Sequence, residues 1–416
     1  MPHSVEIAGA AIFCLALLHT FTTARIGGFA IKYPRHAGLF HFLAEVEVVF
    51  GFWALILCLV IWLLAGSHTA IDYLEQRKFT ESLFVFVIMV IAASRPVLSL
   101  VTQAVTKLAD VFPGRTEIYA IWLSLSLIPL LGSFITEPAA MTLAALLLRD
   151  RLFRENISTS VKYFGLAVLF VNISIGGVLT SFAAPPVLMV ASAWGWGTPH
   201  MALTFGWRAA IAVLANATIF VLFVARHVPT SDVAGGDERQ RIPLSVTLIH
   251  IMFLVLVVLN AHHAVVFIGA FLFFLGYTHA YEKYQSPLLL RESLLVAFFL
   301  GGLVVLGGLQ QWWLQPVVSS MSDYMLFAGA TGLTAVMDNA AITYLGSLIA
   351  GLSEQSKYFL VAGAVAGGGL TVIANAPNPA GLALVGHRFP GGVSALNLLG
   401  AAVAPTAVAC LALLAL

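Results

Sequence analysis

Charge is what this sequence has least of. Asp, Glu, Lys and Arg make up 9% of its 416 residues, against 60% hydrophobic residues and a mean hydropathy of +0.97. A chain so poor in charge cannot cover a water-facing surface, which excludes a soluble globular protein and makes this a polytopic membrane protein whose first partner is the lipid bilayer. The basic runs that grip phosphates are missing, and a net charge of +1 gives a nucleic acid no reason to bind. Cysteine is limited to Cys14, Cys58 and Cys410, each inside an apolar segment and without metal-ligand spacing, so all three read as small hydrophobes. Neither a His-Glu-x-x-His run nor a Gly-x-Ser-x-Gly elbow occurs. The chain therefore does not read as an enzyme, and no cofactor is expected. The N-terminus, Met1-Pro-His-Ser-Val-Glu6, lacks the basic region of a cleaved signal, so the first apolar run is expected to persist as a helix.

What is present is a series of apolar segments, and the length allows about ten to twelve crossings. The run Val5 to Phe21 leads into an expected polar loop, Thr22 to His36, and Phe40 to Leu64 reads as one long helix carrying Glu45 and Glu47. Two residues apart on a helix, these carboxylates point roughly 200° from each other, so they cannot form one paired site. A third segment opens at Glu81 and is interrupted at Arg95-Pro96, and a fourth runs from near Tyr119 through Ile128-Pro129 to Ile135. Thr136-Glu137-Pro138 then breaks the chain before Ala139 to Leu148, which is too short to cross a bilayer. A re-entrant helical hairpin around 119–148, with Thr136 and Glu137 at its tip, is the economical reading. A discontinuous helix follows around 162–200, since no helix continues undisturbed through Pro185-Pro186.

The polar stretch 226–243 reads as a linker between a first half, 1–225, and a second, 244–416, because the halves match in order. Glu81-Ser82-Leu83 recurs as Glu292-Ser293-Leu294, and Thr136-Glu137-Pro138-Ala-Ala as Met337-Asp338-Asn339-Ala-Ala. Lys162-Tyr163-Phe164 recurs as Lys357-Tyr358-Phe359. Gly176-Gly-Val-Leu-Thr180 recurs as Gly367-Gly-Gly-Leu-Thr371, and each is followed by a proline break, Pro185-Pro186 or Pro377-Asn378-Pro379. The second half thus has a hairpin around 324–352 and a broken helix around 357–386. A weaker match sets His262 and His263 against the glutamates at 45 and 47.

A hairpin followed by a broken helix, present twice, resembles the ion transporter superfamily that holds the sodium-coupled dicarboxylate symporters, arsenite permeases and bacterial sodium/proton antiporters. Gly368-Gly369-Leu-Thr371 with Pro377-Asn378 looks like the family's cation-binding loop, and Asp338-Asn339 occupies its hairpin tip. Within the superfamily the chain looks most like the sodium/proton antiporters. The resemblance implies an all-α fold of two inverted-topology repeats, and a homodimer in which a hairpin domain moves rigidly, elevator fashion, against a fixed scaffold. It also implies a bacterial inner membrane. Two departures stand out: the tips lack the symporters' Ser-Asn-Thr triplet, and the first break, Ala183-Ala-Pro-Pro186, lacks the asparagine of the second.

Na⁺ is a hard cation that prefers oxygen ligands. The sequence offers Asp338, Asn339, Asn375, Asn378 and Thr371 in the second half and Thr136, Glu137 and Thr180 in the first, with Na⁺ itself expected at Asp338, Asn339 and Asn378. Of these only Asp338 and Glu137 can also bind a proton. A carboxylate taken out of water must be neutralised, and H⁺ and Na⁺ compete for the same oxygens, which is antiport. Glu45, Glu47, His262 and His263 are candidate proton relays. Plain structural readings stand beside these: Asp338 and Glu137 as helix caps, the histidines as core residues, and Thr180 and Thr371 bonded to carbonyls one turn earlier. The alternative function is a sodium-coupled symporter of a small carboxylate or oxyanion, which an acidic tip without a neighbouring arginine does not favour.

Overall fold

A computed structural model describes residues 1–111, 116–225 and 242–415, so all but the last two residues of the expected linker at 226–243 lie outside the described residues. Among the described residues every regular element is helical. Six helices are long and apolar enough to cross a membrane, or up to eight if two bent pairs each count as one span. The chain length allows more, but Pro185–Trp194, Leu244–Leu259 and Ala264–Ala280 are apolar and shorter.

The elements that position the site are, in the first half, α1 (His3–Lys32), α2 (Val46–Ala65), α3 (Thr80–Ala92), α4 (Arg95–Asp110), α5 (Thr116–Leu125), α6 (Leu127–Ile135), α7 (Glu137–Arg149), α8 (Thr159–Gly176), α9 (Pro185–Trp194) and α10 (Trp207–Val224). In the second half they are α11 (Leu244–Leu259), α12 (Ala264–Ala280), α13 (Leu290–Gly307), α14 (Asp323–Thr334), α15 (Asn339–Ser347), α16 (Glu354–Gly367), α17 (Asn378–Val385) and α18 (Ala395–Ala415).

Two expectations are corrected at the N-terminal end. The polar stretch from Thr22 is not a loop, because α1 continues to Lys32. Thr22 and Thr23 donate their hydroxyls to the carbonyls of His19 and Thr20, so the helix absorbs these polar groups itself. Nor is Phe40 to Leu64 one helix. The short helix Ala37–Leu43 precedes α2, and Glu45 stands between them in extended backbone as the α2 N-cap residue.

Proline sets the other bends. Pro96 lies in the first turn of α4, which meets α3 at 62°, and Pro129 lies inside the first turn of α6, which meets α5 at 40°. Pro129 has no N–H for the carbonyl of Leu125, and that carbonyl accepts instead from the side-chain amide of Asn172 on α8 at 2.7 Å. Asn172 in turn accepts from Asn216 on α10 at 3.0 Å, so a fully buried amide pair supports the kink.

The core is built by close approach of backbones. α2 crosses α13 where Gly51 meets Gly302, and a Cβ on Gly302 would strike the main chain of Phe50 and Gly51. α16 lies on α14 in the same manner, with Gly363 and Gly367 against the carbonyls of Phe327 and Thr331. The second break lies against α8, the helix that leads into the first break: a Cβ on Gly369 would meet the main chain of Val171, and one on Gly368 would meet Ser174 Oγ and Asn339 Nδ2. Beyond the breaks the contacts cross over. α9 packs on α15 of the second-half hairpin, and α17 packs on α7 of the first.

Candidate functional site

The first tip is the sharp turn between α6 and α7. Thr136 has φ 73° and ψ 150°, the one positive-φ residue other than glycine among those described, and such strain persists only where its surroundings hold it. Ser133, one turn earlier, supplies the hold. It donates to the Gly176 carbonyl at 2.7 Å and accepts from Leu179 N–H at 2.9 Å, while the Thr180 hydroxyl donates to the Ser133 carbonyl at 2.5 Å. The tip is thereby stapled to the break of its own half. The second tip is fastened in a parallel way, by the Thr371 hydroxyl on the Ala335 carbonyl at 2.9 Å. The two threonines thus reach across to a neighbouring element and not to their own preceding turn. In the second break, Asn378 donates to the carbonyls of Gly368 at 2.8 Å and Thr371 at 2.9 Å, tying the unwound backbone together.

Asp338 is the N-cap of α15, accepting from Ala340 N–H at 2.8 Å, and the Ala376 main chain of the second break also lies against its carboxylate. Glu137, the first residue of α7, is fully buried and does not cap its helix. Its Oε2 accepts from the side-chain amide of Asn375 at 2.8 Å, and its Oε1 faces Gly177, where a side chain would collide with it. Asn339 donates to Ser174 at 3.3 Å, and Ser174 donates to the Val365 carbonyl at 2.8 Å. Each half therefore reaches into the other, and both tips and both breaks converge on one region.

The side-chain amide donors are used and their oxygens are left over. Thr136 Oγ1, Glu137 Oε1, Asn339 Oδ1, Asn375 Oδ1 and Asn378 Oδ1 are all buried with no hydrogen-bond partner in the protein. Buried polar atoms are nearly always partnered, so a group of bare oxygens is a donor set suited to a hard cation or to an O–H. Transition-metal chemistry has no comparable basis, as no three His, Cys, Asp or Glu side chains converge among the described residues.

A cleft of about 20 Å³, room for about one water molecule, opens onto this region. Its polar wall is Glu47, Asp338 and Asn375, its apolar wall includes Val46, Phe299 and Ile373, and no basic residue lines it. Glu47 from α2 thus faces Asp338 across the cleft. The other candidate relays are not brought together with it. Glu45 is ion-paired with the exposed Arg291, and His262 and His263 are exposed in the turn between α11 and α12. Ser133 and Ser174 were missed in the sequence. Spacing offered one signal for Ser133, which lies one turn before the tip, and none for Ser174.

The family described as "Putative Na+/H+ antiporter" matches residues 4–416. No curated protein matches the sequence. Among solved structures, the Alcanivorax borkumensis YdaH transporter is similar at 12% identity and a TM-score of 0.47, over 88% of this chain and 96% of that one.

Proposed function

The chain belongs to this Na⁺/H⁺ antiporter family, and from that premise we propose that it exchanges Na⁺ for H⁺ at Asp338, with Glu137 as a second carboxylate behind it. The observation that carries the reading is a buried acid on a hairpin tip, facing a cleft that holds acceptors and no cationic side chain. Left bare, such a charge costs several kcal/mol at membrane depth, so Asp338 must hold a proton or a metal ion before it moves. Na⁺ on Asp338 would find amide oxygens nearby at Asn375, Asn339 and Asn378, and a proton would satisfy the carboxylate alone. Occupancy by one excludes the other, and the exchange is coupled without further parts.

The ordered sequence matches between 1–225 and 244–416, together with the parallel stapling of each tip to its own break, support two repeats. An inverted arrangement, with α2 and α13 in a scaffold and the two hairpins in a unit that shifts against it, fits the glycine-lined crossing of α2 and α13 and gives alternating access of the elevator type. A homodimer in a bacterial inner membrane belongs to the same reading. The acidic cleft also argues against co-transport of an anion, which would meet Glu47 and Asp338 with no basic partner.

Reconstituted vesicles test this. Addition of Na⁺ is expected to dissipate an imposed pH gradient through the wild type, with no uptake of labelled succinate or arsenite. Asp338→Asn, which keeps a good N-cap and removes the acid, is expected to stop the flux. Anion uptake coupled to Na⁺, with no movement of protons, would overturn the assignment.

A further inference from the structure

A second cavity, far roomier than the ion cleft, lies elsewhere in the molecule. It holds about 490 Å³, within the range of small-molecule sites, and is walled by the N-terminus, the segment after α2, the end of α13 and the helix Gln311–Ser319. α1 begins and α13 ends at its rim, and both are candidate spans, so it lies at the level where apolar helices give way to water.

Two side chains of opposite charge line it. Arg77 lies over the Tyr73 ring, 4.6 Å from the centroid, and donates from Nε to the Tyr73 carbonyl at 3.2 Å. Among the described residues no carboxylate is ion-paired with it. Its guanidinium rests on Gly308, where a side chain would displace it. Glu6 provides the negative charge, and among the described residues it pairs with the exposed His3 at 3.0 Å. Gln76, Gln311 and Gln315 add neutral hydrogen-bonding groups, and Leu309, Trp312 and Pro316 form an apolar side.

We infer that this cavity binds a phosphate ester bearing a primary ammonium, the phosphoethanolamine headgroup, with the phosphate on Arg77 and the ammonium on Glu6. A guanidinium matches two phosphate oxygens at once, and a carboxylate takes an ammonium with short charge-assisted bonds. A purely anionic headgroup would meet Glu6 as a like charge. A quaternary amine would bring no N–H to it. The apolar side and the depth of the site suit a headgroup still attached to its acyl chains. Arg77 also lies beside the hydroxyl of Tyr344 on α15, which donates to the Val304 carbonyl at 3.1 Å, so the occupant would touch a residue in contact with the second hairpin.

Native mass spectrometry of the intact protein with added phosphatidylethanolamine, phosphatidylcholine, phosphatidylglycerol or soluble O-phosphoethanolamine tests the inference. The wild type is expected to hold phosphatidylethanolamine about tenfold more tightly than the other two lipids. Arg77→Gln should weaken every phosphate-bearing ligand, whereas Glu6→Gln should remove only the preference for the primary amine. Unchanged melting temperatures in detergent would show that the variants remain folded. O-phosphoethanolamine competing as well as the lipid would assign the site to a free headgroup and would overturn the lipid source. Equal retention of all three lipids by the wild type, or an unaltered preference in both variants, would refute the site.

Discussion

Asn375 holds the two halves of the site together. Its amide nitrogen bonds Glu137, its oxygen is unpartnered, and it shares the cleft wall with Asp338. An amide can serve a cation with its oxygen while its nitrogen serves a carboxylate, so the group can sense both. Asn375→Ala leaves a buried carboxylate oxygen without a donor, a loss of about 1–3 kcal/mol. The apparent Na⁺ affinity in vesicle exchange is expected to fall by about tenfold, and an unchanged affinity would remove Asn375 from the site. At this scale the sequence was partly readable. Asp338, Glu137 and the asparagines stood out because polar side chains are rare in an apolar chain. The pairing of Glu137 with Asn375 was not readable, because 238 positions separate them and nothing local encodes that contact. Ser133 and Ser174 were hidden for another reason: serine is ordinary in membrane helices, and only the neighbouring carbonyl reveals its task.

The elements follow from where glycine and proline stand. Proline interrupted α3–α4, the tip at 136–138 and both broken helices at positions visible in the sequence, since a missing N–H and a fixed φ act locally. The N-terminal helix was misjudged for the opposite reason, because threonine hydroxyls satisfied within the helix look like loop residues in a sequence. The kink at Pro129 depends on Asn172, two helices later in the chain, and its cause becomes visible only in three dimensions. The approach of the second break to α8 depends on Gly369, whose missing side chain leaves space for the backbone of Val171. Gly369→Ala sets a methyl group against main chain that has no rotamer to yield, and a cost of about 1–3 kcal/mol is expected. Thermal unfolding in detergent should show a lower midpoint for this variant. Gly332→Ala, on a helix face with open space around it, is the control and should be neutral or slightly stabilising.

For the whole molecule, the proposal requires one body to move against another. The contact between Ser192 on α9 and Glu81 on α3, 2.7 Å between side-chain oxygens, joins the hairpin-associated unit to the helix that packs on α13. In a background lacking Cys14, Cys58 and Cys410, the pair Glu81→Cys and Ser192→Cys joined by a short thiol cross-linker is expected to halt exchange, and a cleavable linker should restore it. Exchange that continues at full rate while cross-linked would mean that no such displacement occurs. Membership of the antiporter family and the apolar spans agree at this scale, and the proposal built on them rests on one carboxylate that two cations would take in turn.

That competition has a direct measure. The Na⁺ concentration for half-maximal exchange should be recorded across pH in vesicles with equal pH on both sides. If H⁺ and Na⁺ compete for Asp338, lowering the pH raises that concentration, approaching tenfold per pH unit on the acid side, and the limiting rate at saturating Na⁺ is recovered. A half-maximal concentration that does not vary with pH, in a protein that still exchanges and loses exchange in Asp338→Asn, would contradict the account.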